Sequence, residues 1–197
     1  MLYLYYPTNK ERIRITMDYK TCTIAGCRPT RFKWKYKEHN EGCQRLKNQI
    51  REQLALLCEQ GVRRFLMGGS LGVDLWAGDI LLELKEQYND IELILVLPYA
   101  KHDRDWDKRD RHRLSVLRQH SSEVLITGTE EAAPVDNFKK RDQYMIRHSD
   151  RLLAVHDCDP KDHSGIAQVV NYSRKKKLSI ILIHPDSSAV SYENQTE

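Results

Sequence analysis

The chain of 197 residues lacks any apolar run near the ~20 residues that a helix needs to span a bilayer. Its start, MLYLYYPTNKERIRITMDYK, has no apolar core of the kind a secretory signal carries, so a membrane-embedded or exported protein is not expected. No CxxC pair occurs among the five cysteines, Cys22, Cys27, Cys43, Cys58 and Cys158. An odd count without paired spacing argues against a disulfide framework and a zinc ribbon, and it fits a reducing, cytoplasmic compartment. Neither GxGxxG nor a Gly-Lys-Ser/Thr phosphate loop is present. No Ser/His/Asp or Cys/His arrangement stands at recognisable spacing, so no catalytic residue is assigned.

Charge of one sign is also scarce. Lys+Arg 32 against Asp+Glu 28 leaves +4. That balance allows an anionic ligand but falls short of a dedicated nucleic-acid binder.

Strand-length apolar runs occur at residues 21–25, 62–67, 91–97, 123–127, 151–156 and 178–183. Most are continuous, which implies strands covered on both faces, as in a parallel sheet. Helical patterns separate them. Leu46, Ile50, Leu54 and Leu57 form one apolar stripe, followed by Gly61 at a helix-ending position. Further helices are expected from Leu71 to Tyr88, over 105–120, over 136–148, and around Ile166, Val169 and Val170. The last of these ends in the basic run 174–177, where cations complement the helix dipole. The alternation predicts an α/β, Rossmann-like, doubly wound and mostly parallel sheet of about six strands flanked by helices. Residues 1–20 read as an N-terminal extension, 21–185 as one domain, and 186–197 as a polar, frayed tail.

The most informative segment is Phe65-Leu66-Met67-Gly68-Gly69-Ser70-Leu71-Gly72-Val73-Asp74. A hydrophobic strand enters a glycine turn and a helix follows. Glycine lets backbone approach a ligand, and amides at a helix start favour an anion such as phosphate. Ser70 adds a hydroxyl, and Asp74 is placed to orient a ribose or base. Arg28 and Arg141 supply planar forks of donors for phosphate. Tyr99, just past a strand, is the better base-stacking candidate. The mixed-charge segment 101–113 reads either as a solvated helix start or as a lid with Trp106 facing the pocket, and Trp76 is expected in the core. The loop 156–163 is dense in His and Asp. It reads either as a solvated turn, with Asp162 capping the last helix, or as a Mg²⁺ site bridging a pyrophosphate.

Several ordered segments together resemble the DUF1273 (YpsA-like) family of the SLOG superfamily, which is named for Smf/DprA and LOG proteins. These are Gly26-Cys27-Arg28-Pro29, the glycine turn with Trp76, Leu97-Pro98-Tyr99 followed by Trp106, Lys140-Arg141-Asp142-Gln143-Tyr144-Met145, and Ser149-Asp150. The resemblance runs from about residue 21 to 185. It implies a nucleotide-binding fold accepting ADP-ribose-like molecules, and it adds Gly26, Pro98 and Gly165 to the candidate ligand-binding residues. It also makes self-association plausible. Two departures stand out. Ser164-Gly165-Ile166 replaces a Gly-Gly-Thr before the last helix, and Asp142 replaces an Asn, substituting an acceptor for an amide that also donates.

The reading that follows is a binding module, a sensor, regulator or sequestering protein for a phosphate-bearing nucleotide. The alternative is a hydrolase of an N-glycosidic or phosphate bond. LOG-type enzymes carry Pro-Gly-Gly-x-Gly-Thr-x-x-Glu, whereas Val73 and Asp74 follow Gly72 here with no matching glutamate. A DprA-like binder of single-stranded DNA is disfavoured by the modest charge and by the absence of a basic stripe interleaved with aromatics.

Overall fold

Leucine, isoleucine and valine runs too short for helices pair side by side in a seven-stranded sheet in the computed structural model, which describes residues 20–194. In chain order the elements are β1 Lys20–Gly26, α1 Glu41–Glu59, β2 Val62–Met67, α2 Val73–Leu84, β3 Glu92–Leu97, α3 Lys108–His120, β4 Glu123–Ile126, α4 Pro134–Arg147, β5 Arg151–Val155, α5 Gly165–Lys175, β6 Ser179–Ile183 and β7 Val190–Glu193. The sheet order is β4-β3-β2-β1-β5-β6-β7. Strands β1 to β6 run parallel, and β7 returns antiparallel to β6. This is the expected Rossmann-like architecture, with one more strand than the sequence suggests.

The extra strand corrects the reading of 186–197 as a frayed tail. Val190-Ser191-Tyr192-Glu193 holds one β-branched residue and buries none of its side chains fully, so no continuous apolar run announces it. It is secured from outside. Glu193 takes both a 2.9 Å and a 2.7 Å bond from Arg174, and the Tyr192 hydroxyl bonds Gln53 at 3.1 Å. The N-terminal extension read over residues 1–20 lies, but for Lys20, outside the described residues.

Helix starts follow local capping. Asn40 caps α1 by accepting from the Gly42 amide at 2.9 Å, and Asp107 caps α3 by accepting from the Asp110 amide, which moves that start from 105 to 108. Gly61 follows α1 with φ +83, a conformation that glycine adopts without strain. The cap of α5 is Ser164, not Asp162.

Two layers cover the sheet. On one face α1, α2 and α3 bury Leu46, Ile50, Leu54, Trp76, Leu81 and Leu114 against Phe65, Leu93 and Leu95. On the other, α4 and α5 bury Met145, Ile146, Val169 and Val170 against Leu66, Val96, Leu152 and Ile180. Leaving β1, the chain goes to β2 on one side and, much later, to β5 on the other. The carboxyl end of β1 is therefore the point where strand order reverses, which is where ligands enter such folds. No helix among the described residues is long and apolar enough to cross a membrane.

Candidate functional site

Beyond that switch point lies a cleft of about 580 Å³, within the range of small-molecule sites. The end of β1 and the following turn contribute Gly26, Cys27, Arg28, Thr30 and Arg31. The turn after β2 contributes Gly68, Ser70 and Asp74. Helix α4 supplies Val135, Phe138, Arg141, Asp142 and Met145, and the start of α5 supplies Ser164, Gly165, Ile166 and Val169. The inner wall is apolar, and the charged groups gather towards the glycine turn and the mouth.

Gly26, Arg28, Gly68, Ser70, Asp74, Arg141 and Gly165, all candidates from sequence, meet in this lining. Gly69, Gly72, Pro98, Tyr99 and Trp106 do not. Gly72 sits behind the wall, where a Cβ would come within 2.9 Å of the Cys27 carbonyl oxygen and of Pro29. Its φ of +90 turns the chain into α2. Gly69 is roofed by Leu97 and Leu114. Tyr99 and Trp106 belong to a buttress. His102 packs edge-on to both rings, at 6.1 and 5.4 Å, and bonds the Gly69 carbonyl at 3.1 Å. Burial lowers the His102 pKa, opposed by that bond. Tyr99 reaches the cleft only through Phe138, whose ring centroid lies 6.4 Å away.

The front of α2 is not an open anion cradle. The Ser70 amide donates to Asp74 Oδ2 at 3.0 Å. Arg141 fills the space above Gly68, donating to its carbonyl at 3.3 Å and to Ser70 Oγ at 2.9 Å. The same guanidinium holds Asp142 Oδ1 through Nε and Nη2 at 2.9 and 2.7 Å. Arg141 is thus a brace between α4 and the glycine turn. Any role as an anion clamp falls to what is left of its fork.

Arg28 differs. It is exposed at the mouth, its Cζ lies 5.3 Å from the Phe138 ring centroid, and its guanidinium has no ion pair or hydrogen bond among the described residues. Arg141 approaches the same ring at 5.0 Å. On the facing side, Ser164 caps α5 by accepting from the Ala167 amide at 3.4 Å. The first helical hydrogen bond there is Gln168 to Ser164, which leaves the Gly165 and Ile166 amides without a partner among the described residues. Nothing stands within 4 Å of a Cβ placed on Gly165.

Asp74 is the buried carboxyl at the glycine turn. Burial pushes its pKa up to about 6, against the pull of Arg141, the Ser70 amide and Arg28. Among the described residues only Oδ2 has a protein donor. Burial likewise raises Asp142, against Arg141. Cys27 also lines the cleft, but burial pushes its thiol up to about 12 and Sγ donates to the Val155 carbonyl, so it is no nucleophile.

The His/Asp loop brings His156, Asp157 and Asp162 within 4.8 Å. All three are committed to protein partners. His156 Nδ1 accepts from the Cys158 amide at 2.9 Å, so Nε2–H donates to Asp162 Oδ2 at 2.9 Å. Asp162 also accepts from the Ser164 amide and hydroxyl, both at 2.8 Å. The His156 bond and these two hold its carboxyl at about 2. Asp157 pairs with Arg31. The network fixes the start of α5 against the mouth.

Phe138, Asp142, Met145 and Val135 were not singled out as site residues. Spacing marks α4 only as amphipathic, and which residues meet β1 depends on where the helix crosses it.

Residues 22–188 match the family model described as the YspA SLOG family. Over 166 residues the chain is 27% identical to a UPF0398 protein of Bacillus thuringiensis (strain Al Hakam), covering 84% of this chain and 88% of the relative. A UPF0398 protein of Bacillus cereus (strain AH187) is similar at the same 27%, over the same shares of each chain.

Proposed function

The chain belongs to the YspA SLOG family, and on that premise we propose that the cleft binds a phosphate-bearing nucleotide or an ADP-ribose-like derivative, so that the protein acts as a sensor, regulator or sequestering protein. One observation carries the reading. Arg28 is an unneutralised guanidinium at the mouth of an apolar cleft, whereas Arg31 and Arg141 each already hold a carboxylate. A phosphate supplies the charge Arg28 lacks and matches its fork of donors. The amides of Gly165 and Ile166 add donors from the opposite wall. Ile24, Phe138, Met145 and Val169 offer the apolar surface that a base or ribose needs. Asp74, in the lining with only Oδ2 bonded among the described residues, supports an acceptor role towards a ribose hydroxyl or an exocyclic amine.

Calorimetric titration with ADP-ribose, NAD and the common nucleoside phosphates tests this. Saturable binding of at least one ligand is expected. Silence from the whole panel overturns the reading.

A second reading, hydrolysis of such a ligand, is favoured by Asp74. A carboxyl held near pH 6 in a cleft is suited to proton transfer. Chromatography of the same panel after prolonged incubation separates the two: unchanged ligand supports binding alone, and a split product supports turnover.

A further inference from the structure

Immediately after the cleft residues Thr30 and Arg31, the chain reads Phe32-Lys33-Trp34-Lys35-Tyr36-Lys37, a strict alternation of aromatic and basic side chains. It is the interleaved stripe whose absence would argue against nucleic acid, compressed into six residues. The segment is not a loose loop. Successive turns fold it, with Lys35 bonding the Phe32 carbonyl at 3.0 Å, Lys37 that of Trp34 at 3.0 Å and Asn40 that of Lys37 at 3.1 Å.

Its aromatic side chains divide by role. Phe32 is buried, stacked on Trp34 at 5.0 Å with 8° between the planes, and it lies 5.5 Å from Trp76 of the core. Tyr36 points outward and is 49% exposed. The far end is pinned by Glu38, which is half-buried beside Lys47 at 2.5 Å and Arg113 at 2.8 Å.

The cations divide the same way. Glu38, Glu41, Asp79 and Glu83 on the neighbouring helices and turn are each matched by Lys47, Arg45, Arg113 or Arg51. Lys33, Lys35 and Lys37 are exposed and have no ion pair among the described residues. Arg109, 4.0 Å from Glu38, brings the start of α3 alongside, where Lys108 and Arg111 are exposed and likewise free of ion pairs among the described residues. Apart from Asp107, which is exposed and caps α3, these acids are neutralised within the protein, and the lysines of the face are not.

We propose that residues 32–37, with the start of α3, form a docking surface for a single-stranded polynucleotide, whose phosphates meet Lys33, Lys35 and Lys37 while an unstacked base lies on Tyr36. Every base has a π-face, so such a surface reads no sequence. A duplex, with its bases already stacked, gains only the charge contacts. The surface stands on other residues than the nucleotide cleft and does not depend on it.

Fluorescence anisotropy of a fluorescein-labelled oligo-dT of about 20 nucleotides, titrated with the full-length protein, tests the proposal. Expected is binding whose log affinity falls against log salt with a slope of about −2, three lysines at about −0.7 each. An oligo-rU of equal length binds alike, and a duplex binds less. The triple variant K33Q/K35Q/K37Q flattens the slope and loses about tenfold or more, and Tyr36→Ala loses about tenfold at unchanged slope. The charge-matched variant K175Q/K176Q/K177Q, at the end of α5 on the other face of the sheet, and the cleft variant Arg28→Ala both bind like wild type. All these side chains are exposed, so the variants fold. No binding at low salt, equal loss in both lysine triples, or loss in Arg28→Ala alone overturns the proposal.

Discussion

Arg141 and Ser70, 71 residues apart in the chain, are joined by a 2.9 Å bond from Nη1 to Oγ, and the same guanidinium carries Asp142. The glycine turn, which reads as an open phosphate cradle in sequence, is thereby closed by a side chain from the other face of the sheet.

Arg141→Ala is expected to cost about 2–4 kcal/mol in urea unfolding, because it leaves Asp142 without its cation and Ser70 without its donor. Arg141→Lys is expected to recover less than half, since one ammonium cannot reach Gly68, Ser70 and Asp142 together. A neutral result for the alanine variant would mean that the brace is not formed.

Gly26→Ala and Gly165→Ala should differ in sign. A Cβ on Gly26 would meet the Val73 side chain at 2.6 Å, so β1 and α2 must part at a cost of about 1–3 kcal/mol. Around Gly165 there is open space and an ordinary φ, so alanine there should stabilise by about 0.5–1 kcal/mol. Thermal unfolding of the two variants checks the pair.

Asp74 imposes a pH dependence. Its carboxyl lies near 6 in the folded chain against 3.8 when exposed, so the unfolded chain releases its proton first. Below about pH 4 both states are protonated and Asp74 costs nothing. As the pH rises through 6 the fold loses about 2–3 kcal/mol relative to an uncharged residue there. Asp74→Asn should match wild type at pH 4 and exceed it by that amount at pH 7. An unchanged gap across this window would show that Asp74 does not titrate there.

Thiol labelling separates the cysteines. Burial raises Cys22 and Cys27 to about 12 and Cys58 to about 11, and it raises Cys43 as well, while Cys158 is half-exposed. One fast-reacting thiol is expected in the native protein, lost in Cys158→Ser. A second fast thiol at Cys27 would contradict its burial.

Strands β1, β2, β3, β5 and β6 were legible because both faces of each are covered, which demands unbroken apolar runs. Strand β4 reads the same way, yet Val124 and Ile126 stand exposed at the sheet edge, since no element continues beyond them among the described residues. Strand β7 was hidden because Arg174 and Gln53, not a hydrophobic run, hold it in place. In the cleft, Arg28 and Asp74 were visible because glycine turns and strand ends are local signals. That Arg141 braces rather than clamps depends on how far α4 lies above Gly68, a distance no local pattern encodes. The alternation at residues 32–37 corrects the expected absence of an interleaved basic stripe, because a summed charge of +4 hides a local patch.

The most direct measurement is a crystal structure of the protein soaked with ADP-ribose. The account predicts phosphate density within ~3 Å of the Arg28 guanidinium and of the Gly165 and Ile166 amides, with the apolar portion against Phe138 and Val169. Density elsewhere on the surface, or a cleft filled only by water at saturating ligand, would contradict it.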